Sequence, residues 1–304
     1  MKLTIGRLKI VALGLGGLGL LIGLVYVGFL LRRPARTSEV RSLFQGIEYE
    51  RYARQSPRPL MFHIITIDLS APGIEFLVTP QEIDLEGKET LADTVPGFLE
   101  KQGVQVAING SFFYPMHVHT PFNYAPHVGE GINIVGTSIS NGKTYSPPDS
   151  KWAALCITSA AVLSIEESGT CPARTLQGIA GSHIFVKDGQ VASDPYFETF
   201  SADKDEFFPR TVVALDKEQK TMWLVVVDGR QWRYSEGIKL LELGEILVEM
   251  GADKALNFDG GGSTTLAVEL NGRATVLNSP FQARIPTNLR PVANHLGIFA
   301  RPVD

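Results

Sequence analysis

Apolar and polar positions alternate in short runs along most of this 304-residue chain, a pattern of strands more than of long helices. In residues 60–69, Thr66 and Asp68 alternate with Ile65, Ile67 and Leu69, which predicts a strand. Pro72-Gly73 marks a turn, and 74–78 reads as a second strand. Residues 104–108 predict a short central strand that delivers Asn109-Gly110. Residues 211–215 and 222–227, joined by a charged turn, predict the clearest hairpin. Another hairpin is expected about Asn271-Gly272, and 292–299 closes the fold as a last strand. Helical spacing appears twice inside the globular part. One stretch is 90–101, interrupted by Pro96 and followed by Gly103. The other is 235–250, with Ser235 as cap, a stripe of Leu240, Leu243, Leu247 and Met250, and Gly251 as stop. The expected architecture is α/β of the α+β type, a single domain on a mixed sheet.

The N-terminus follows a different pattern. Residues 10–31 are apolar and uncharged, with Lys2, Arg7 and Lys9 before them and Arg32, Arg33 and Arg36 after them. As a helix this run would span about 33 Å, enough for the hydrocarbon core of a bilayer. It is longer than the apolar part of a cleaved signal peptide, and no A-x-A pattern closes it. The expected organisation is a cytoplasmic tail at 1–9, a single transmembrane signal anchor at 10–31 and a linker at 32–45. A domain at 46–304, held outside the cytoplasm, completes it.

Composition narrows the partners. A net charge of −4 lacks the basic face that nonspecific nucleic-acid binding needs, so no nucleic-acid partner is expected. The two cysteines, Cys156 and Cys171, are either a disulfide of an oxidising compartment or two buried thiols.

The candidate chemistry lies at strand ends. Residues 255–258 lead into Asp259-Gly260-Gly261-Gly262-Ser263-Thr264-Thr265, after which 266–268 resumes an apolar run. Consecutive glycines let the backbone turn sharply and turn its N–H groups toward an anion. No Lys follows them and the spacing is not G-x-G-x-x-G, so this is neither a P-loop nor a dinucleotide fingerprint. Asn109, Arg210, Asp228 and Asp259 each stand at the edge of an apolar run beside a turn. Together they would form a rim of two carboxylates, an amide and an arginine, suited to acid–base chemistry on a phosphate-bearing or glycosidic substrate. Residues 114–150 read as a long loop holding His117, His119 and His127. His-x-His on a strand puts both rings on one face, as a metal-ligand pair would need, and hydrogen-bonded loop histidines give the same pattern.

Taken in order, five motifs resemble the phosphodiester glycosidase family. They are Asn109-Gly110-Ser111-Phe112-Phe113, Arg210-Thr211, Val227-Asp228-Gly229-Arg230, Ser235-Glu236-Gly237 and 256–265 with its glycine triplet. Asn278-Ser279-Pro280, Arg290-Pro291 and Asn294-His295-Leu296 continue the likeness, which covers about residues 60–300. Ser111 departs from the Asn-Gly-Gly that is frequent in that family. The resemblance implies an α/β domain that cleaves a sugar-1-phosphodiester to free sugar and a phosphomonoester. On this basis Asp259 and Asp228 are the expected catalytic pair. Asn109, Arg210, Gly260, Gly261, Gly262, Ser263, Thr264 and Arg290 are expected to bind a glycan or sugar-phosphate substrate. No cofactor is predicted. The alternatives are a metal-dependent phosphodiesterase using Asp228, Asp259 and the loop histidines, and a non-catalytic envelope glycan-binding protein.

Overall fold

Strands buried on both faces need continuous apolar sequence, and the runs at 211–215 and 222–227 supply it. In the computed structural model, which describes residues 17, 19–82, 87–158, 162–192 and 207–303, they pair as the hairpin Arg210–Leu215 and Thr221–Val227. This hairpin lies at the centre of an eight-stranded sheet. Leu60–Asp68 flanks it on one side and Lys254–Asn257 on the other. A second sheet of five strands has Val106–Asn109 in its middle, between Leu266–Leu270 and His295–Phe299. A third, also of five strands, is built from 138–180.

One core lies between the sheets. Ile65, Val213, Leu224 and Leu256 of the large sheet meet Val106, Ile108, Leu266 and Ile298 of the second and Leu155 and Ile179 of the third. The period of two sends Val212, Ala214 and Val225 to the opposite face, where Leu240, Leu243 and Leu247 cover them. Those leucines belong to the helix Leu240–Glu249. The helix Val95–Gln102 covers the outer face of the second sheet with Phe98 and Leu99.

The chain is thus an α/β-type single domain dominated by sheet, with 44% strand and 13% helix. Pairing between the named strands is antiparallel throughout, where a mixed sheet is expected. Antiparallel neighbours do not require the crossover helix that a parallel pair needs. Four boundaries shift for local reasons. Pro96 does not break a helix but sits in the first turn of one, where its missing N–H costs nothing, and Thr94 caps it. Ser235 does not cap the second helix, because its hydroxyl is turned to the Asp228 carbonyl, 2.5 Å away. Glu39–Phe44, inside the expected linker, is an edge strand pairing with Ile47–Arg54. The long expected loop contains strands of two to four residues, each broken by a turn before any periodicity can build up.

The expected membrane segment falls largely outside the described residues. Its described part is helical at 17 and from 19 to 31, with Leu20, Leu21, Ile22 and Leu24 exposed. Among the described residues no helix is long and apolar enough to cross a membrane. Cys156 and Cys171 form a disulfide, with Cα atoms 5.5 Å apart, which resolves the open choice between bond and thiols.

Candidate active site

The glycine-rich segment connects two sheets. Lys254–Asn257 ends in the large sheet and Leu266–Leu270 begins in the second, and the chain between them must change layer. It does so through the 3₁₀ turn Gly261–Ser263. Gly261 has φ 61°, a left-handed conformation that glycine adopts at no steric cost. A Cβ on Gly262 would lie 2.5 Å from Nη2 of Arg290, so only glycine lets that guanidinium lie against the loop. Gly261 N–H donates to the Pro209 carbonyl (3.0 Å), and Asp259 N–H to that of Gly110 (2.9 Å). The loop is therefore held from both sides.

Asn109 provides the clamp. Its Nδ2 donates to the Asp259 carbonyl (2.6 Å), while its Oδ1 accepts from Thr211 Oγ1 (2.8 Å) and Thr265 N–H (3.1 Å). The expected sugar-binding amide is thus buried behind the loop, with both ends of its amide occupied. Ser111 is buried too. Its N–H donates to Asn294 Oδ1 (2.7 Å), and its hydroxyl accepts from Asn294 Nδ2 (3.1 Å).

In front of the loop is a cleft of about 210 Å³. Asp259, Gly260, Gly261 and Gly262 line it, with Arg210, Arg230 and Arg290 on the polar side and Phe112, Met116 and Phe208 on the apolar side. Three guanidiniums outnumber one carboxylate, so the cleft carries net positive charge. A relay of side chains aims the carboxylate. Ser263 Oγ donates to Asp259, Arg290 Nη1 donates to Ser263 Oγ (3.2 Å), and Arg290 Nε donates to Gln282 Oε1 (2.8 Å). Burial pulls the Arg290 guanidinium below its ordinary pKa; Asp259 opposes that shift and Arg230 adds to it. Phe208 lies under Arg230 and Arg210, whose guanidinium carbons are 4.8 and 5.3 Å from its ring centre.

Arg230 is absent from the predicted set. The Asp228-Gly229 turn before it is its main mark in the sequence, and its φ of 59° is a strained conformation for a residue with a Cβ. Phe208 and Met116 carried no signal beyond being aromatic or apolar beside turns. Ser263 and Thr264 belong to the loop but are buried at its back, where Ser263 acts through Asp259 and Thr264 offers its carbonyl to Asn278.

Asp228 does not line the cleft. It is fully buried, and three groups surround its carboxylate. Ser279 N–H donates to it at 2.9 and 3.1 Å, Asn278 Nδ2 donates at 3.0 Å, and His63 Nε2 is 3.2 Å away. The His63 ring is fixed in turn by the Tyr49 hydroxyl, 2.9 Å from Nδ1; burial raises the Tyr49 pKa, so that hydroxyl keeps its proton to donate. Through Asn278, which also bonds the Thr264 carbonyl and the Leu266 N–H, Asp228 braces the far end of the glycine loop. Geometry separates the expected catalytic pair into one carboxylate in the cleft and one beneath it.

The histidines stand elsewhere. His117 and His119 lie on the exposed strand His117–Thr120 with ring centres 5.0 Å apart, and His127 packs on Tyr124 at 4.5 Å. Among the described residues no group of three or more His, Cys, Asp or Glu is placed to hold a metal.

A sheet-built scaffold thus aims one carboxylate among three arginines and a glycine loop, in a cleft of net positive charge. The family model for phosphodiester glycosidases matches residues 102–299, and the chain belongs to that family of hydrolases. No curated protein sequence matches it. Among solved structures, a Synechocystis protein is 17% identical with a TM-score of 0.64, over 88% of this chain and 64% of that one. This chain therefore spans less than two thirds of the Synechocystis protein. The zebrafish N-acetylglucosamine-1-phosphodiester α-N-acetylglucosaminidase catalytic domain, auto-inhibited by its pro-peptide, is 21% identical with a TM-score of 0.58. That likeness covers 89% of this chain and 87% of the zebrafish one. At these identities both likenesses concern the fold.

Proposed function

We propose that this protein is a membrane-anchored hydrolase, with its domain outside the cytoplasm, that cleaves a sugar-1-phosphodiester of the N-acetylglucosamine-1-phosphodiester type. The observation that carries the reading is the single carboxylate of Asp259, aimed by Ser263 and ringed by Arg210, Arg230 and Arg290. Arginine pairs with phosphate oxygens through two parallel N–H groups, and the backbone of Gly260, Gly261 and Gly262 admits a phosphate closely. With the phosphate held there, the sugar ring lies against Asp259 and the apolar wall of Phe112 and Met116. The anomeric C–O bond breaks, and Asp259 stabilises the positive charge that develops on the sugar. The electron pair of that bond leaves with the phosphate, which departs as a monoester anion that needs no strong acid. Water supplies the oxygen of the freed sugar, and the proton it loses passes to the phosphate monoester or to solvent. Asp228 acts through the scaffold, by bracing the glycine loop. The disulfide fits an oxidising compartment, and the apolar run at 10–31 supplies the anchor.

The test is hydrolysis of an N-acetylglucosamine-1-phosphodiester in ¹⁸O-labelled water, with and without chelator. Label in the released sugar, unaffected by chelator, is the expected result. Label in the phosphate would replace this reading with a phosphodiesterase that breaks the P–O bond.

A further inference from the structure

We propose that the face carrying Trp232, beside the cleft, seats on the surface of an anionic lipid bilayer. The inference rests on the anchored reading above and adds which face of the domain meets the membrane. Trp232 is 74% exposed, and the Arg233 guanidinium lies 4.1 Å from its ring centre. A tryptophan presented to water on a loose loop would mean little, but this turn is tied to its surroundings by hydrogen bonds. Gln231 N–H donates to the Ser235 carbonyl (2.9 Å), and Gln231 Nε2 to the Ser279 carbonyl (2.8 Å). Arg230 and Arg233, both non-glycine, have φ of 59° and 60°, so the turn keeps a disfavoured backbone while pushing an aromatic side chain outward. Indole belongs where apolar chain meets polar headgroup, and neighbouring arginines favour anionic lipid.

Continuity with the N-terminal helix identifies the occupant. The segment leaving that helix is fastened to this same turn. The Arg33 guanidinium lies 4.5 Å from the Tyr234 ring centre, the Tyr234 hydroxyl donates to the Pro34 carbonyl (3.1 Å), and Arg36 donates to the Arg233 carbonyl (3.4 Å). Arg36 also reaches the Arg54 carbonyl (2.7 Å), which ties the segment to the large sheet. The helix before it exposes Leu20, Leu21, Ile22 and Leu24. Once that helix enters a bilayer, the fastened segment brings Arg32, Arg33 and Arg36 to headgroup level with Trp232 and Arg233 beside them. Arg230, two residues from Trp232, lines the cleft, so the cleft opens near the headgroup layer.

The test uses the full chain in nanodiscs of phosphatidylcholine, with and without phosphatidylglycerol, the acyl chains brominated to quench tryptophan. Trp223 is buried in the core and Trp152 packs on Phe112, so Trp232→Phe isolates the exposed ring. The expected result is quenching that is stronger with phosphatidylglycerol, lost for the most part in Trp232→Phe and reduced in Arg233→Glu. Quenching unchanged by Trp232→Phe, or equal in the two lipid compositions, overturns the proposal while leaving the anchor intact. A chain that does not copurify with the discs overturns the anchored reading and this proposal with it.

Discussion

Asp228 and Asp259 follow strands of the same sheet, each just before a glycine, yet their surroundings are opposite. Asp259 faces a cleft among three arginines, and the Ser263 hydroxyl donates to it. Asp228 is sealed under the loop, its oxygens taken by a backbone N–H, an amide and a histidine. A carboxylate with its acceptor sites filled by the protein has nothing left for a substrate. Asp259 instead lines the open cleft. On the proposed reading the difference separates chemistry from support, and it makes the two positions separable by experiment.

The largest effect is expected at the cleft. Asp259→Asn keeps the shape and removes the charge, so turnover falls roughly 10²–10³-fold or more while the urea midpoint stays at the wild-type value. A clear loss of stability in that variant would put Asp259 in the same class as Asp228. Asp228→Ala should do the reverse first: it strands the Ser279 N–H, the Asn278 amide and His63, at a cost of about 3 kcal/mol in urea unfolding. Activity in that variant falls only as the glycine loop loosens. The disulfide, on the third sheet, sharpens the contrast from outside. Reducing it removes a cross-link across a sequence separation of 15. The expected loss is roughly 2–3 kcal/mol of stability, with the catalytic constants of the folded enzyme unchanged.

Smaller effects follow at the arginines. Arg290→Lys keeps the charge but loses the planar fork and the bond to Gln282, so KM rises about tenfold with a lesser change in kcat. The last effect is absent at neutral pH and appears only on acidification. Burial pushes the His295 pKa from 6.5 down to about 3, against a weaker upward pull from the Asp93 carbonyl. The unfolded chain takes up this proton below pH 6.5 and the folded chain does not until about pH 3, so stability falls as pH drops through that window. Unfolding midpoints of wild type and His295→Gln across that range measure it, and the variant should show the shallower slope.

Much of this arrangement was legible in the residues because it depends on local signals. The apolar runs at 211–215 and 222–227 mark the centre of the large sheet, since a strand buried on both faces has no polar alternation to obscure it, and the alternation at 66–69 marks the strand beside them. The glycine triplet marks the layer change, and Arg210, Arg290 and Asp259 lie where the motifs place them. What escaped depends on partners distant in sequence. Nothing near Asp228 announces that Ser279 and His63 will fill its oxygens, and nothing near Asn109 announces that its amide will clamp Asp259. Arg230 reaches the cleft only because its turn takes a left-handed φ. The edge strand Glu39–Phe44 is polar and half exposed, which in sequence looks the same as a linker.

The most direct test is a crystal structure of Asp259→Asn soaked with a sugar-1-phosphodiester. The expected complex has the phosphate against Gly261 and Gly262 with Arg230 and Arg290 on its oxygens, and the anomeric carbon facing residue 259. A phosphate bound away from these arginines, or a sugar turned from residue 259 toward solvent, would contradict it.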